Sequence, residues 1–192
     1  MRHRVIVAIA VFVVMMFSAV RSESFMAGRV DGNRVYYSAS NTYAVDSSFV
    51  YIGTFESDQT ITAQNSQTNK STRLLINEVF AKRYGTTNEL VELFIAQWNK
   101  LPNRWHVTEP GPMKERIYEF RPTKFTGLSA FLESKGYTYT DVFHGGMMLG
   151  FGYNDTYTRY YFAVAKSTIP KDVTDNDGFL RTAFSNAVKL EQ

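Results

Sequence analysis

The residues best suited to chemistry in this chain gather around one histidine. His144 precedes two glycines in residues 141–165, a stretch that holds four of the twelve glycines of the chain. A His-Gly-Gly run can offer backbone N–H groups to an oxyanion, as in some lipases and esterases. Their nucleophile is a serine in a G-x-S-x-G turn. The nearest match, residues 127–131, lacks the second glycine and precedes the histidine instead of following it. The motif therefore does not predict a hydrolase.

Nucleotide and metal sites have no better support in the sequence. The glycines of residues 145–152 do not match G-x-G-x-x-G, and no G-x-x-x-x-G-K-[ST] run occurs. Outside the N-terminal segment the chain has two histidines, His106 and His144, with no His-x-x-x-His pair. Asp175 and Asp177 resemble the start of a calcium loop, but no glutamate closes the twelve-residue pattern. Capping of the following helix explains these two aspartates, and no metal site is predicted.

The predicted binding residues are aromatic and imidazole side chains. Aromatic rings can line a carbohydrate or lipid groove, although most of those in this chain are expected in the core or on sheet faces. The binding candidates are His144, His106, Trp105, Tyr157 and Tyr161. No residue is predicted to be catalytic, and no cofactor is predicted.

The N-terminal segment predicts export. Two arginines precede the apolar run of residues 5–20, which is shorter than the roughly 20 residues of a membrane-spanning helix. A basic start, a short apolar centre and small residues after it are typical of a secretory signal peptide. We expect residues 1–22 to be a cleaved signal peptide, with an uncleaved anchor or a buried helix as alternatives. Residues 23–192 would then lie in the periplasm or be secreted, or face outward from a membrane anchor.

Charge and cysteine content exclude further classes. The whole chain has 21 basic and 18 acidic residues, but Arg2, Arg4 and Arg21 lie in the predicted signal peptide, so the mature part is electrically balanced. It has no basic stripe for a phosphate backbone, and nucleic acid is not an expected partner. A protein or a small molecule is expected instead, with membrane contact only through an uncleaved N-terminal segment. The chain has no cysteine, which excludes disulfides and a lipid-bearing cysteine after the signal.

Two sequons add a conditional alternative. The sequences NKS at Asn69 and NDT at Asn154 match the N-glycosylation pattern. They matter only in a eukaryotic host, where they would make the protein a secreted or surface glycoprotein.

The elements that would position these residues form one α+β domain over residues 23–192. We expect an antiparallel β-sheet with two or three helices packed on one face, ending in a β-hairpin and a C-terminal helix. An Asp-Gly turn and runs of β-branched and aromatic residues indicate the strands. The predicted strands flank the turn at residues 31–33 and cover residues 47–57, 104–109 and 114–122. The pattern of residues 72–85 suits either a strand or a helix, and Gly85 together with poor helix caps favours a strand.

The clearest predicted helix begins at residues 87–88 and ends at Pro102, since proline cannot continue a helix. Its apolar residues recur at helical spacing and would form one face. They are Leu90, Val91, Phe94, Ile95, Trp98 and Leu101. Two further helices are predicted over residues 128–136, closed by Gly136, and over residues 175–190.

The glycine-rich stretch predicts a β-hairpin with residues 154–155 as its two-residue turn. Strand pairing then places each glycine opposite or diagonal to a large side chain, and tyrosines can cover the bare glycine backbone. The predicted pairs include Gly152 with Tyr157, Gly150 with Arg159, Met148 with Tyr161 and Gly146 with Ala163.

The function expected from these observations is binding or assembly outside the cytoplasm, by a small exported α+β domain without catalytic machinery. Two alternatives stay open. One is an extracytoplasmic hydrolase that uses carboxylates or His144, and the other is the eukaryotic glycoprotein described above.

Overall fold

A computed structural model describes residues 28–36, 42–62, 70–100, 115–140, 142–153 and 156–191. These residues form nine strands and two α-helices. The strands are β1 (Arg29–Asp31), β2 (Arg34–Tyr36), β3 (Thr42–Val45), β4 (Val50–Thr62), β5 (Lys70–Arg83), β6 (Leu90–Lys100), β7 (Phe143–Tyr153), β8 (Thr156–Ala165) and β9 (Val188–Glu191). The helices are α1 (Leu128–Ser134) and α2 (Asn176–Ala187). Among these residues, no helix has the length and apolar character needed to cross a bilayer.

The strands form two antiparallel sheets. The larger sheet has the order β4-β5-β6-β8-β7, and the smaller one has the order β1-β2-β3-β9. The predicted strands over residues 47–57 and 72–85 are confirmed as parts of β4 and β5, and the hairpin around residues 31–33 is confirmed as β1 and β2. The α+β class therefore describes the chain, with two sheets where one was expected.

The predicted helix over residues 87–101 is wrong, because this segment is the central strand β6 of the large sheet. Leu93 and Ile95 are buried on one face of the strand, and Phe94, Ala96 and Trp98 are buried on the other. A strand that is covered on both faces is apolar at nearly every position. Such a run also satisfies helical spacing by chance, so periodicity alone could not separate the two structures.

The helices lie on opposite faces of the large sheet, so the expectation of helices packed on one face is wrong. Leu128 and Leu132 of α1 pack in one core cluster with Leu93 and Ile95 of β6. Leu180 and other residues of α2 pack in the second cluster, together with the small sheet. The large sheet is therefore the middle of three layers, with a core on each side.

Two segments depart from their predicted structure near the sheet edges. Residues 115–121 form no strand but an isolated antiparallel bridge between Phe120 and Phe143 of β7. The predicted strand over residues 104–109 lies outside the described residues.

The predicted C-terminal helix ends at Ala187, and Val188 begins β9, where it pairs with Val45 of β3. The β-branched Val188 suits an extended backbone, and it remains buried in the core on the α2 side.

The predicted hairpin of β7 and β8 is confirmed in its register, apart from one position. Gly150 pairs with Arg159 and Met148 pairs with Tyr161, as expected, and the turn itself lies outside the described residues. The predicted pair of Gly146 with Ala163 is wrong because the register shifts between His144 and Met147. Gly145 has a φ of 62°, which is typical of the glycine in a β-bulge.

The bulge glycine should be much less tolerant of a side chain than a glycine of similar backbone in an open turn. A Cβ at Gly145 would lie 2.1 Å from Leu180 Cδ2, whereas at Gly85, with a φ of 55°, it would meet nothing within 4 Å. We expect Gly85→Ala to lower the free energy of unfolding by about 1 kcal/mol through backbone strain. Gly145→Ala adds steric overlap and should cost about 3 kcal/mol. Urea unfolding measures both, and equal losses would contradict the close packing at Gly145.

Candidate functional site

Polar side chains occupy neighbouring strands on the α1 side of the large sheet, where apolar packing would be expected. Asn77 of β5 pairs with Gln97 of β6, and Gln97 pairs with Arg159 of β8. Ser57 of β4 and Tyr161 of β8 lie diagonally beside them and are joined to them by hydrogen bonds. We call these five residues the polar row.

Hydrogen bonds run through the polar row in one direction. The Tyr161 hydroxyl donates to Gln97 Oε1 at 3.3 Å, and Gln97 Nε2 donates to Asn77 Oδ1 at 2.8 Å. Asn77 Nδ2 then donates to Ser57 Oγ at 3.1 Å and to the Phe55 carbonyl at 3.2 Å. Asn77 is fully buried and Gln97 is 4% exposed. A buried polar group without a partner costs about 1–3 kcal/mol, and these bonds remove that cost for both amides.

The polar row borders a cleft of about 190 Å³. Its far wall comes from the segment before α1, where the 3-10 turn Pro122–Lys124 is followed by Phe125, whose ring packs edge-on against Tyr161 at 5.1 Å. Lys124 and Arg159 bring positive charge to the cleft, and Asp58 brings a negative charge. The cleft thus combines neutral hydrogen-bonding groups with a small excess of positive charge.

Tyr118 lies within electrostatic reach of the polar row. Tyr118 is 42% exposed, and partial burial of its phenol, with a smaller contribution from the charge of an ionised Tyr161, raises the pKa of Tyr118 to about 12. The Arg159 guanidinium opposes this shift. Tyr118 therefore stays a neutral phenol beside the cationic side of the row over the physiological pH range.

The binding candidates predicted from the sequence are spread over different parts of the chain. Tyr161 belongs to the polar row and lines the cleft. For Tyr157 the structure describes the backbone alone, which pairs within the large sheet. Trp105, His106 and the two sequon asparagines, Asn69 and Asn154, lie outside the described residues.

His144 lies on the other side of the sheet, against α2. Its Nε2 is 3.6 Å from Asp177 Oδ1, in the first turn of that helix. The predicted capping role is confirmed for Asp175, whose carboxylate accepts a hydrogen bond from the Gly178 N–H at 2.9 Å. His144 thus meets Asp177 at the junction of β7 and α2, and Asp175 caps the same helix. Within the described ranges, no three His, Cys, Asp or Glu side chains are grouped so as to hold a metal ion.

Sequence reasoning missed four members of the polar row, although two of them leave a signal. Asn77, followed by Glu78, interrupts the apolar residues of the segment 74–80, and Gln97 interrupts the apolar run of residues 93–98. In a buried strand such a polar residue needs a partner on a neighbouring strand. The signal was hidden at Gln97 because its segment was predicted as a helix.

Comparison with known proteins adds no family, since no protein-family model, curated protein or solved structure matches this chain. The geometry of the site is therefore the basis for a functional assignment.

Coupling within the polar row can be measured with a double-mutant cycle. Gln97→Leu removes the acceptor of Tyr161 and the donor to Asn77, and we expect it to lower the free energy of unfolding by about 2 kcal/mol. Asn77→Leu should cost a similar amount. The double variant leaves fewer buried polar groups without a partner than the two single variants do together. Its loss in free energy of unfolding should therefore be about 1 kcal/mol smaller than the sum of the two single losses. Chemical denaturation measures all three variants, and strictly additive losses would contradict a coupled row.

The raised pKa of Tyr118 predicts a loss of stability at high pH. The folded state holds the phenol neutral up to a pKa of about 12, whereas the unfolded state releases the proton near pH 10. Between these values the unfolded state binds fewer protons, so stability falls as pH rises. The wild type should lose stability more steeply than Tyr118→Phe between about pH 10 and about pH 12. Urea midpoints across this range test the difference, and parallel curves would contradict it.

Proposed function

We propose that the protein is an exported, non-enzymatic binding domain whose cleft at the polar row takes a small ligand with a carboxylate or phosphate group. The export rests on the N-terminal sequence. The binding role is supported above all by one observation, the hydrogen-bonded row of buried polar side chains beside the Arg159 guanidinium.

Placing polar side chains on a covered sheet face needs a reason. Apolar residues of similar volume would pack there without any requirement for matched hydrogen bonds, and buried polar networks are often no more stable than such packing. Apolar groups are buried in every protein core, so it is the buried polar groups that call for a structural or functional explanation. Because the row sits on paired strands, its side chains are held rigidly, as a binding site requires.

The charges at the cleft favour an anion. Arg159 is half-buried there and Lys124 is more exposed, against the single carboxylate of Asp58. A guanidinium presents its N–H groups in a planar fork that matches the oxygens of a carboxylate or phosphate. The Ser57 hydroxyl accepts from Asn77 and therefore keeps its own hydrogen to donate to such a group.

The size of the cleft favours a small ligand. Its volume of about 190 Å³ is below the range of roughly 300–1,000 Å³ that is typical of sites for drug-sized molecules. A short carboxylic acid or a phosphate group fits this space better than a nucleotide does.

Binding can be tested by NMR titration of the mature domain with acetate, benzoate and inorganic phosphate, which also separates the two anion chemistries. We expect Arg159→Gln to weaken binding by about 10- to 100-fold, as a hydrogen bond to a charged group is lost. Arg34→Gln is the matched control, because Arg34 pairs with Glu191 on the small sheet, away from the cleft. Equal losses in both variants, or no binding of any of the three anions, would contradict the proposal.

The non-enzymatic part of the proposal has its own test. His144 faces α2, on the opposite side of the sheet from the polar row, so the two do not form a common site. Assays of the mature protein against ester, glycan and peptide substrates should give no turnover. Robust turnover that His144→Ala abolishes would instead favour the hydrolase alternative.

A further inference from the structure

A second cleft, of about 340 Å³, opens on the α2 side of the large sheet, on the face opposite to the polar row. The turn after β3 forms one wall, the ends of β5 and β6 form the floor, and α2 forms the other wall. We call it the interlayer cleft. It is lined by Asp46, Ser48, Phe49, Lys82, Glu92, Phe179, Thr182, Ala183, Asn186 and Ala187.

The charged groups of the interlayer cleft interact with one another. Lys82 Nζ is 2.7 Å from Glu92 Oε1, and it lies 5.6 Å from the centre of the Phe49 ring. Hydrogen bonds from Ser48 and then the charge of Lys82 hold the pKa of Asp46 below its usual range. One ammonium therefore lies among two carboxylates; their excess negative charge repels an anionic ligand, and Lys82 already supplies the cation that both carboxylates attract. A neutral ligand avoids that repulsion.

Helix α2 presents both polar and apolar groups to the cleft. Phe179, Ala183 and Ala187 follow one another at a spacing of four, which places them in one apolar row along the helix. Thr182 and Asn186, which are also four residues apart, lie beside these apolar residues and present polar groups to the cleft. The Thr182 hydroxyl donates to the Gly178 carbonyl at 2.9 Å, so its oxygen is oriented to accept a hydrogen bond, while the Asn186 amide can both donate and accept.

We propose that the interlayer cleft binds a neutral sugar unit of a glycan. A sugar ring carries hydroxyl groups, each of which donates and accepts, and it carries an apolar face of C–H groups. The cleft offers carboxylate acceptors, an ammonium donor and an amide next to an apolar strip, which complements both features. Its volume falls within the range of roughly 300–1,000 Å³ that is typical of ligand pockets. The site is distinct from the anion cleft at the polar row and does not depend on it.

The test is a glycan array probed with the labelled mature domain, followed by calorimetry with the glycan that gives the strongest signal. Asn186→Ala removes an exposed side chain of the cleft wall and should weaken binding by about 5- to 10-fold. Ser185→Ala is the matched control, because Ser185 is the adjacent exposed residue of α2 and donates to the Arg181 carbonyl outside the cleft. It should bind the glycan like the wild type.

Each result has a defined meaning. If Asn186→Ala weakens glycan binding while Ser185→Ala and Arg159→Gln bind like the wild type, the interlayer cleft is supported as the sugar site. If Arg159→Gln weakens glycan binding and Asn186→Ala does not, the glycan binds at the polar row. That result would overturn this proposal but would still support a binding function for the protein. A domain that melts normally but binds no glycan on the array also overturns it, whatever the outcome of the anion titration.

Discussion

The central strand β6 has to bury both of its faces, and the arrangement of the other elements follows from that requirement. Phe94 and Ile95 are neighbours in sequence, yet they contribute to different core clusters on opposite sides of the sheet. Each large apolar side chain contributes about 2 kcal/mol when it leaves water, so neither face can stay exposed. Helix α1 and the segment before it cover one side, and the small sheet with α2 covers the other. The two clefts lie where these covers are incomplete.

The polar row marks the line at which the core on the α1 side ends. Along β6 this face changes from Leu93 and Ile95 to Gln97, and along β8 it changes from Ala163 to Tyr161 and Arg159. The change occurs at the same level on adjacent strands because antiparallel pairing sets these residues opposite or diagonal to one another. Hydrogen bonds between the side chains then let the polar groups remain buried at the edge of an apolar layer. A buried polar edge of this kind is suited to hold a ligand in a fixed orientation.

Local sequence patterns predicted much of the fold but little of the site, because the contacts that build the site join residues far apart in the sequence. The strands β4 and β5 and the β7–β8 hairpin could be predicted because composition and pairing at a turn are local properties. The structure of β6 could not, since burial on both faces depends on layers formed by distant residues. The bond between Gln97 and Asn77 spans 20 residues, and that between Tyr161 and Gln97 spans 64. The order β5-β6-β8 that creates these bonds is not contained in any single segment.

The glycine pair after His144 acts on the register of β7. If the pairing of Met147 with Phe162 continued without a bulge, His144 would stand opposite Ala165 and share the α1 face with it. The bulge at Gly145 shifts the pairing by one residue, and a shift of one residue moves each side chain to the other face of a sheet. Phe143 consequently takes the position opposite Ala165 and is fully buried in the α1 core, while His144 reaches Asp177 of α2. A sequence that resembles an oxyanion motif is thereby explained by the packing of two neighbouring residues into opposite layers.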